Sequence, residues 1–214
     1  MTARALPVLA ALLALPLGLA LGAGPQASAE SHPLLGKPSP PLSGRATFSP
    51  GLINLNKLQN EFITERGPDG KPLREGNRIK VRVIKHALVL NFFATYCVPC
   101  IQEIPTFNRV AKAYEGRPVK FVYVNVDTEK TANEVRDFAR AKGIEVEMML
   151  PSVRYTLEAF KIDALPRIMV LSADGVIVHV ILGFQDDLAA QLDSVLVDVV
   201  PPASARNGAG RRAG

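Results

Sequence analysis

Residues 87–100 read ALVLNFFATYCVPC, a mainly apolar run that ends in two cysteines separated by two residues. Within it, residues 88–93 have the length and apolar character typical of a strand that is buried on both faces of a sheet. Apolar residues at helical spacing follow Cys97. We therefore expect a buried strand that leads into a helix beginning at the C-x-x-C motif.

Cys97 and Cys100 are the only cysteines in the chain, so a framework of several structural disulfides is excluded. A helix N-terminus carries partial positive charge and free N–H groups, which stabilise a thiolate at Cys97. Cys100 lies on the same helical turn, where its sulfur can attack a mixed disulfide. The alternative is half of a zinc site, but His32, His86 and His179 are not in ligand spacing. The motif favours dithiol redox chemistry without a metal or cofactor.

Both ends of the chain are expected to lie outside the folded core. Residues 1–29 combine a basic start, an apolar run and an Ala-Ser-Ala sequence, which predicts a cleaved secretory signal peptide. An uncleaved membrane anchor is the alternative. Export would place the protein in the periplasm or outside the cell. Residues 30–44 are rich in proline and predict a linker or an extended lead-in strand, whereas residues 201–214 predict a disordered tail.

A net charge of +5 is concentrated in one internal segment and the tail. Residues 56–86 hold eight basic and four acidic side chains. This charge could meet anionic lipid or an acidic partner, but a solvated hairpin, with His86 as a solvated residue, is the simpler interpretation. No aromatic residues alternate with the basic ones, which argues against nucleic-acid binding.

Hydrophobic periodicity predicts a strand–helix–strand unit with parallel strands, followed by a helix, a hairpin and a closing helix. The predicted strands are 88–93, 119–126, 146–150, 167–171 and 176–182, and the predicted helices are 98–114, 131–142, 153–160 and 188–199. This order matches a thioredoxin-like α/β fold, in which a central mixed β-sheet is flanked by helices and the C-x-x-C motif begins the first core helix. The domain should span residues 45–200, with a basic insertion near residues 61–85.

Residues 90–105, LNFFATYCVPCIQEIP, resemble the N-F-W-A-T-W-C-x-P-C-x-x-E-x-P signature of the TlpA/ResA group of exported thiol–disulfide oxidoreductases. Further segments at residues 35–38 and 165–175 and at Gly183 also resemble that group, in the same order along the chain. Tyr96 stands where the group has tryptophan, and Arg167 stands where threonine is usual.

The resemblance implies that Cys97 is the nucleophile, Cys100 the resolving thiol and Glu103 a partly buried base that helps to deprotonate Cys100. The alternative for Glu103 is a solvated surface carboxylate without a catalytic role. On the first interpretation, Glu103→Gln should slow turnover most at low pH. The resemblance also implies a cis peptide bond before Pro166 and substrate contacts from Tyr96, Leu165 and Pro166.

We expect Arg167 either to contact acidic sequences beside the target disulfide or to point outward without a role. The implied function is the reduction of disulfides in exported protein substrates by a monomer that a membrane electron donor resets. Cytochrome c maturation and metal-site assembly are tasks typical of the group. The alternative from another class is a copper(I) metallochaperone on the same fold, with Cys97, Cys100 and His179 as ligands.

Overall fold

The computed structural model describes residues 32–128 and 130–200, which form eleven strands and five helices. The strands are β1 (Ser43–Ala46), β2 (Leu52–Asn54), β3 (Asn60–Thr64), β4 (Arg74–Glu75), β5 (Arg78–Ile79), β6 (Val81–Lys85), β7 (Ala87–Phe93), β8 (Val119–Asn125), β9 (Met148–Pro151), β10 (Arg167–Leu171) and β11 (Ile177–Leu182). The helices are α1 (Leu55–Gln59), α2 (Val98–Ala113), α3 (Ala132–Ala141), α4 (Val153–Phe160) and α5 (Leu188–Val199).

Seven strands form one mixed sheet in the order β11-β10-β7-β8-β9-β1-β2. β7 lies near its centre, paired in parallel with β8 and antiparallel with β10. Every residue of β7 is buried, as expected for a strand covered on both faces. Thioredoxin-like architecture and the parallel strand–helix–strand unit are therefore confirmed.

Alternate residues of β7 point into two separate cores. Val89 and Phe93 belong to the first core, which is built with side chains of α2, α3 and α5. Leu88, Leu90 and Phe92 belong to the second, to which α1 and α4 contribute. Because α2 lies over the first core, a side chain on the Val89 face of β7 is directed toward the helix that begins at the cysteines.

The proline-rich lead-in is hydrogen-bonded to the domain. Gly36 N–H donates to the Ile177 carbonyl at 2.8 Å, and Ile177 N–H donates to the Lys37 carbonyl at 2.9 Å. β1 then pairs with β9, and a Cβ at Gly44 would lie 2.6 Å from the carbonyl oxygen of Leu150. Glycine is therefore required where these two strands meet.

The insertion forms a β-ribbon of residues 60–85, which we call the basic ribbon. β3 pairs antiparallel with β6, and the tip carries the small β4–β5 hairpin. The expected hairpin is confirmed, but the expected solvation of His86 is wrong. His86 is 7% exposed at the base of the ribbon, and its Nε2 lies 2.8 Å from Glu61 Oε2.

The predicted signal peptide and the predicted tail fall on residues outside the described ranges. Within residues 32–128 and 130–200, no helix is both long and apolar enough to cross a membrane.

The aromatic cluster beneath α2 provides a test of the first core. Phe107 is fully buried, with ring centroids 4.8 Å from Tyr123 and 5.5 Å from Phe121. Phe107→Ala should lower the free energy of unfolding by about 3–5 kcal/mol, because it removes buried contacts and leaves a cavity. Urea unfolding of the oxidised protein measures this change. Val197→Ala, at a position 67% exposed, is the control and should change stability by less than about 0.5 kcal/mol. Equal effects of the two substitutions would contradict this description of the core.

Candidate active site

Cys97 and Cys100 form a disulfide at the start of α2. Cys97 is the N-cap residue of the helix, and its sulfur accepts a hydrogen bond from the Cys100 N–H at 3.3 Å. Pro99 lies in the first turn, where its missing N–H costs no helical hydrogen bond. Cys97 is half-buried, whereas Cys100 is 1% exposed. The two sulfurs therefore differ in accessibility, and Cys97 is the one that a substrate can reach.

Glu103 lies three residues after Cys100 and is buried, at 2% exposed. Its Oε1 accepts a hydrogen bond of 2.8 Å from the Asn91 side-chain amide. Asn91 is on the face of β7 that points toward α2. Burial raises the pKa of Glu103 from 4.5 to about 7, and the Asn91 hydrogen bond opposes this shift only in part. The site thus contains a carboxyl group that titrates near neutral pH on the same helix as the dithiol.

A buried polar network fixes the turn that connects β7 to Cys97. The Asp127 carboxylate accepts hydrogen bonds from the Thr95 N–H at 3.1 Å and from the Thr95 hydroxyl at 3.1 Å. Asn125 donates to the same carboxylate at 2.6 Å. The Cys97 N–H closes the turn by donating to the Ala94 carbonyl at 3.1 Å. No sequence pattern predicts this network, although Thr95 and Asp127 follow neighbouring parallel strands, whose carboxyl ends share one edge of the sheet.

The Leu165–Pro166 peptide bond is cis, as predicted. Pro166 is buried, and its carbonyl accepts a hydrogen bond of 3.0 Å from the Gly183 N–H. Leu165 is half-buried and packs against the core cluster that contains Cys100. Tyr96 is 68% exposed, and Phe184 is 40% exposed. The cysteine turn and the loop at Gly183 thus carry exposed aromatic side chains.

Arg167 is not a surface residue, so the two expectations for it are wrong. It is 5% exposed, and it pairs with the exposed carboxylate of Asp163. Along β10 it shares a face with Met169, a member of the second core, whereas Ile168 belongs to the first. The guanidinium therefore lies on the side of the sheet opposite the cysteine helix.

Within the described residues, no three His, Cys, Asp or Glu side chains cluster closely enough to hold a metal ion. His179 is half-buried on β11, where it pairs with Val170. The structure does not bring it to the cysteines as a third ligand.

A family model described as Redoxin matches residues 65–196. The chain belongs to the redoxin family. The match covers α2 with both cysteines, the strand β10 that follows Pro166, and most of α5. It also includes the greater part of the basic ribbon.

Two curated relatives of this redoxin are thiol-disulfide oxidoreductases. ResA of Bacillus subtilis (strain 168) is 31% identical over 109 residues, which cover 50% of this chain and 60% of that protein. ResA of Bacillus thuringiensis (strain Al Hakam) is 26% identical over 128 residues, covering 59% of this chain and 72% of that protein. This chain therefore spans less than two thirds of the Bacillus subtilis protein.

A solved structure shows the same fold. The crystal structure of a protein from Chlorobium tepidum, described as a thiol:disulfide interchange protein DsbE, matches with a TM-score of 0.59 at 16% identity. The match covers 77% of this chain and 96% of that one. Together, the redoxin family, the ResA relatives and the Cys97–Cys100 pair support thioredoxin-like dithiol–disulfide exchange at this site.

The raised pKa of Glu103 makes the stability of the protein depend on pH. The unfolded chain releases the Glu103 proton near pH 4.5, whereas the folded protein retains it up to about pH 7. Because the folded state binds more protons in this window, the contribution of Glu103 to stability is present below pH 4.5 and is lost as pH rises to about 7. Glutamine does not titrate. The free energy of unfolding of Glu103→Gln, measured relative to that of wild type, should therefore be about 3 kcal/mol higher at pH 8 than at pH 4.

Urea unfolding of the two oxidised proteins at a series of pH values measures this difference. Glu158→Gln, at an exposed position of α4, is the control and should show no such trend. A stability difference between Glu103→Gln and wild type that is constant across pH would show that Glu103 has an ordinary pKa.

Proposed function

We propose that this redoxin is an exported thiol–disulfide oxidoreductase that reduces disulfides of protein substrates outside the cytoplasm. The observation that carries the proposal is the asymmetry of the site, in which an accessible Cys97 and a buried Cys100 share a helix with a buried Glu103. Nucleophilic attack needs a sulfur that the substrate can reach, and resolution needs a second sulfur protected from other disulfides. The cysteine pair meets both requirements.

The first step takes place at Cys97. Reduction of the pair frees both thiols, and the helix N-terminus stabilises the thiolate at the N-cap position. This thiolate attacks one sulfur of the substrate disulfide, so that a Cys97–substrate mixed disulfide forms and the other substrate sulfur leaves as a thiolate. Tyr96, beside Cys97, offers an exposed aromatic surface on which the substrate can pack.

The second step takes place at Cys100. Its thiol transfers a proton to the Glu103 carboxylate, and the resulting thiolate attacks Cys97 Sγ. The substrate's second sulfur leaves, the Cys97–Cys100 disulfide forms, and two electrons have passed to the substrate. A base with a pKa of about 7 is half ionised at neutral pH.

The pKa of Glu103 reverses one expectation from the sequence. Below pH 7 Glu103 is mostly protonated and cannot accept a proton from Cys100. This pKa therefore leads to a different prediction from the sequence-based one, in which Glu103→Gln slows turnover most at low pH. The loss should be greatest at and above neutral pH, where wild-type Glu103 is a carboxylate.

The substrate chain is proposed to bind along the loop of Leu165 and Pro166. Proline has no N–H, and the backbone of Leu165 provides the polar groups with which an extended peptide can pair. A membrane electron donor would then reduce the Cys97–Cys100 disulfide and reset the monomer for another cycle. The substrates could be apocytochromes c or proteins whose metal sites are being assembled.

Trapping of the mixed disulfide tests the proposal. Cys100→Ser removes the resolving sulfur. When the variant reacts with an unfolded model protein that contains a single disulfide, Cys97 should therefore remain linked to that protein. The adduct should accumulate at least tenfold above wild type, as measured by non-reducing electrophoresis and peptide mapping at position 97. Cys97→Ser is the matched control and should trap far less, because Cys100 is buried.

Equal trapping by the two single variants would overturn the assignment of the nucleophile. If the reduced wild type exchanges no disulfides and instead binds one Cu(I) per chain, the function is that of a copper(I) metallochaperone and the proposal is wrong.

A further inference from the structure

The basic ribbon has an inner and an outer face. In the β3–β6 register, Glu61 lies opposite Ile84 on one face, and Phe62 lies opposite Val83 on the other. Glu61 contacts His86 and lies 3.8 Å from Lys120 of β8, so its face is directed toward the sheet. The face of Phe62 therefore points away from the domain.

Apolar side chains on the ribbon are exposed to an unusual degree. Phe62 is 66% exposed, Val81 52% and Val83 44%, and these three side chains share the outer face. Leu73 and Ile79 near the tip are also exposed. Every residue from 71 to 83 is exposed, so the ribbon has no core of its own to explain these side chains. A contiguous exposed apolar surface with charged neighbours is typical of an interaction site.

The positive charge of the domain is concentrated in the same segment. Residues 60–85 hold seven basic and four acidic side chains, a net charge of +3. The rest of residues 32–200 holds fourteen basic and fifteen acidic side chains, a net charge of −1. Among the described residues, five cations of the ribbon make no ion pair, namely Arg66, Arg74, Arg78, Lys80 and Arg82. All of these side chains are exposed on the same ribbon as the apolar side chains, although Arg82 extends from the face of β6 opposite Val83, and they are available to bind an anionic surface.

We propose that the basic ribbon docks the protein on an anionic membrane surface. Phe62, Val81 and Val83 would enter the boundary between headgroups and acyl chains, while the flanking cations bind the lipid phosphates. A second copy of the chain is a poor occupant, because two ribbons that each carry a net charge of +3 repel each other. A protein sent to the export pathway by its N-terminal segment, as the sequence predicts, also meets the outer face of a membrane.

Membrane docking is independent of the cysteine chemistry and does not rest on the proposed function. It would hold the cysteine helix close to membrane-bound redox partners and would make association sensitive to salt. The oxidised and reduced proteins should bind vesicles equally, because neither cysteine belongs to the ribbon.

The absence of tryptophan from the chain allows a site-specific test. In the full chain, Phe62→Trp places a single indole on the outer face of the ribbon. Vesicles of phosphatidylcholine mixed two to one with phosphatidylglycerol should shift its emission to shorter wavelength, and brominated lipid should quench it. Vesicles of pure phosphatidylcholine should have little effect. Because the readout belongs to position 62, attachment of the chain through another segment does not mimic it.

Two matched controls sharpen the result. Val197→Trp places the indole at an exposed position of α5, outside the ribbon, and its emission should not change with either vesicle. In the Phe62→Trp background, the triple change R78Q/K80Q/R82Q should weaken vesicle binding by roughly a hundredfold. The triple change R109Q/K112Q/K142Q removes the same charge from exposed positions outside the ribbon, two on α2 and one directly after α3. It should leave binding within about threefold of the parent.

An unshifted indole at position 62 in the presence of anionic vesicles would overturn the proposal. Equal shifts with neutral and anionic vesicles, or equal weakening by the two triple changes, would also overturn it. Binding of the ribbon to an acidic protein but not to anionic vesicles would assign the surface to a protein partner instead.

Discussion

The parallel pairing of β7 with β8 is the constraint on which the rest of the site depends. Phe93 lies opposite Asn125 at the end of this pairing, so the segments that follow the two strands leave the sheet side by side. One continues through Thr95 to Cys97, and the other continues to Asp127. Because Asp127 binds the Thr95 backbone and hydroxyl, the turn into α2 is fixed by its neighbour as well as by its own sequence. A shift of this pairing by one residue would separate these groups and direct Asn91 away from α2.

The same pairing explains how a carboxyl group comes to be buried beside a dithiol. β7 is apolar except for Asn91, and that amide is directed at the helix that carries Glu103. One neutral hydrogen bond is too weak to offset the loss of water around a carboxylate, so the pKa of Glu103 rises to about 7. A basic partner in place of Asn91 would have lowered the pKa and removed a proton acceptor with the right affinity for neutral pH. The proposed role of Glu103 as a base thus depends on incomplete compensation of a buried charge.

Much of the core fold and the cysteine motif could be predicted from the sequence, because local patterns determine them. The apolar run of β7 and the spacing of apolar residues in α5 each indicate one element, and C-x-x-C with Glu103 carries a specific resemblance. Long-range polar contacts could not be predicted in this way. Arg167 is buried against Asp163, and Thr95 binds Asp127 across thirty-two residues of chain. Nothing in the local composition of these residues distinguishes them from surface polar groups.

The N-terminal region shows a different limit of prediction. β1, β2 and α1 are short, and their few apolar residues have no clear periodicity, so the sequence predicts at most an extended lead-in strand within residues 30–44 and neither β2 nor α1. They are held by the domain that they join, as Gly44 shows where β1 meets β9. The basic insertion was recognised from its charge, but the burial of His86 against Glu61 depends on how the ribbon meets the sheet.

The central claim is that Glu103 accepts the Cys100 proton as its own carboxyl group ionises near pH 7. Stopped-flow measurement of mixed-disulfide resolution tests it most directly. Reduced protein is mixed with an aromatic disulfide that releases a coloured thiol at each step, and the second release reports attack by Cys100. The rate ratio of wild type to Glu103→Gln should be close to one well below pH 7 and should rise through pH 7 to on the order of a hundredfold. A ratio that does not change with pH would contradict the account.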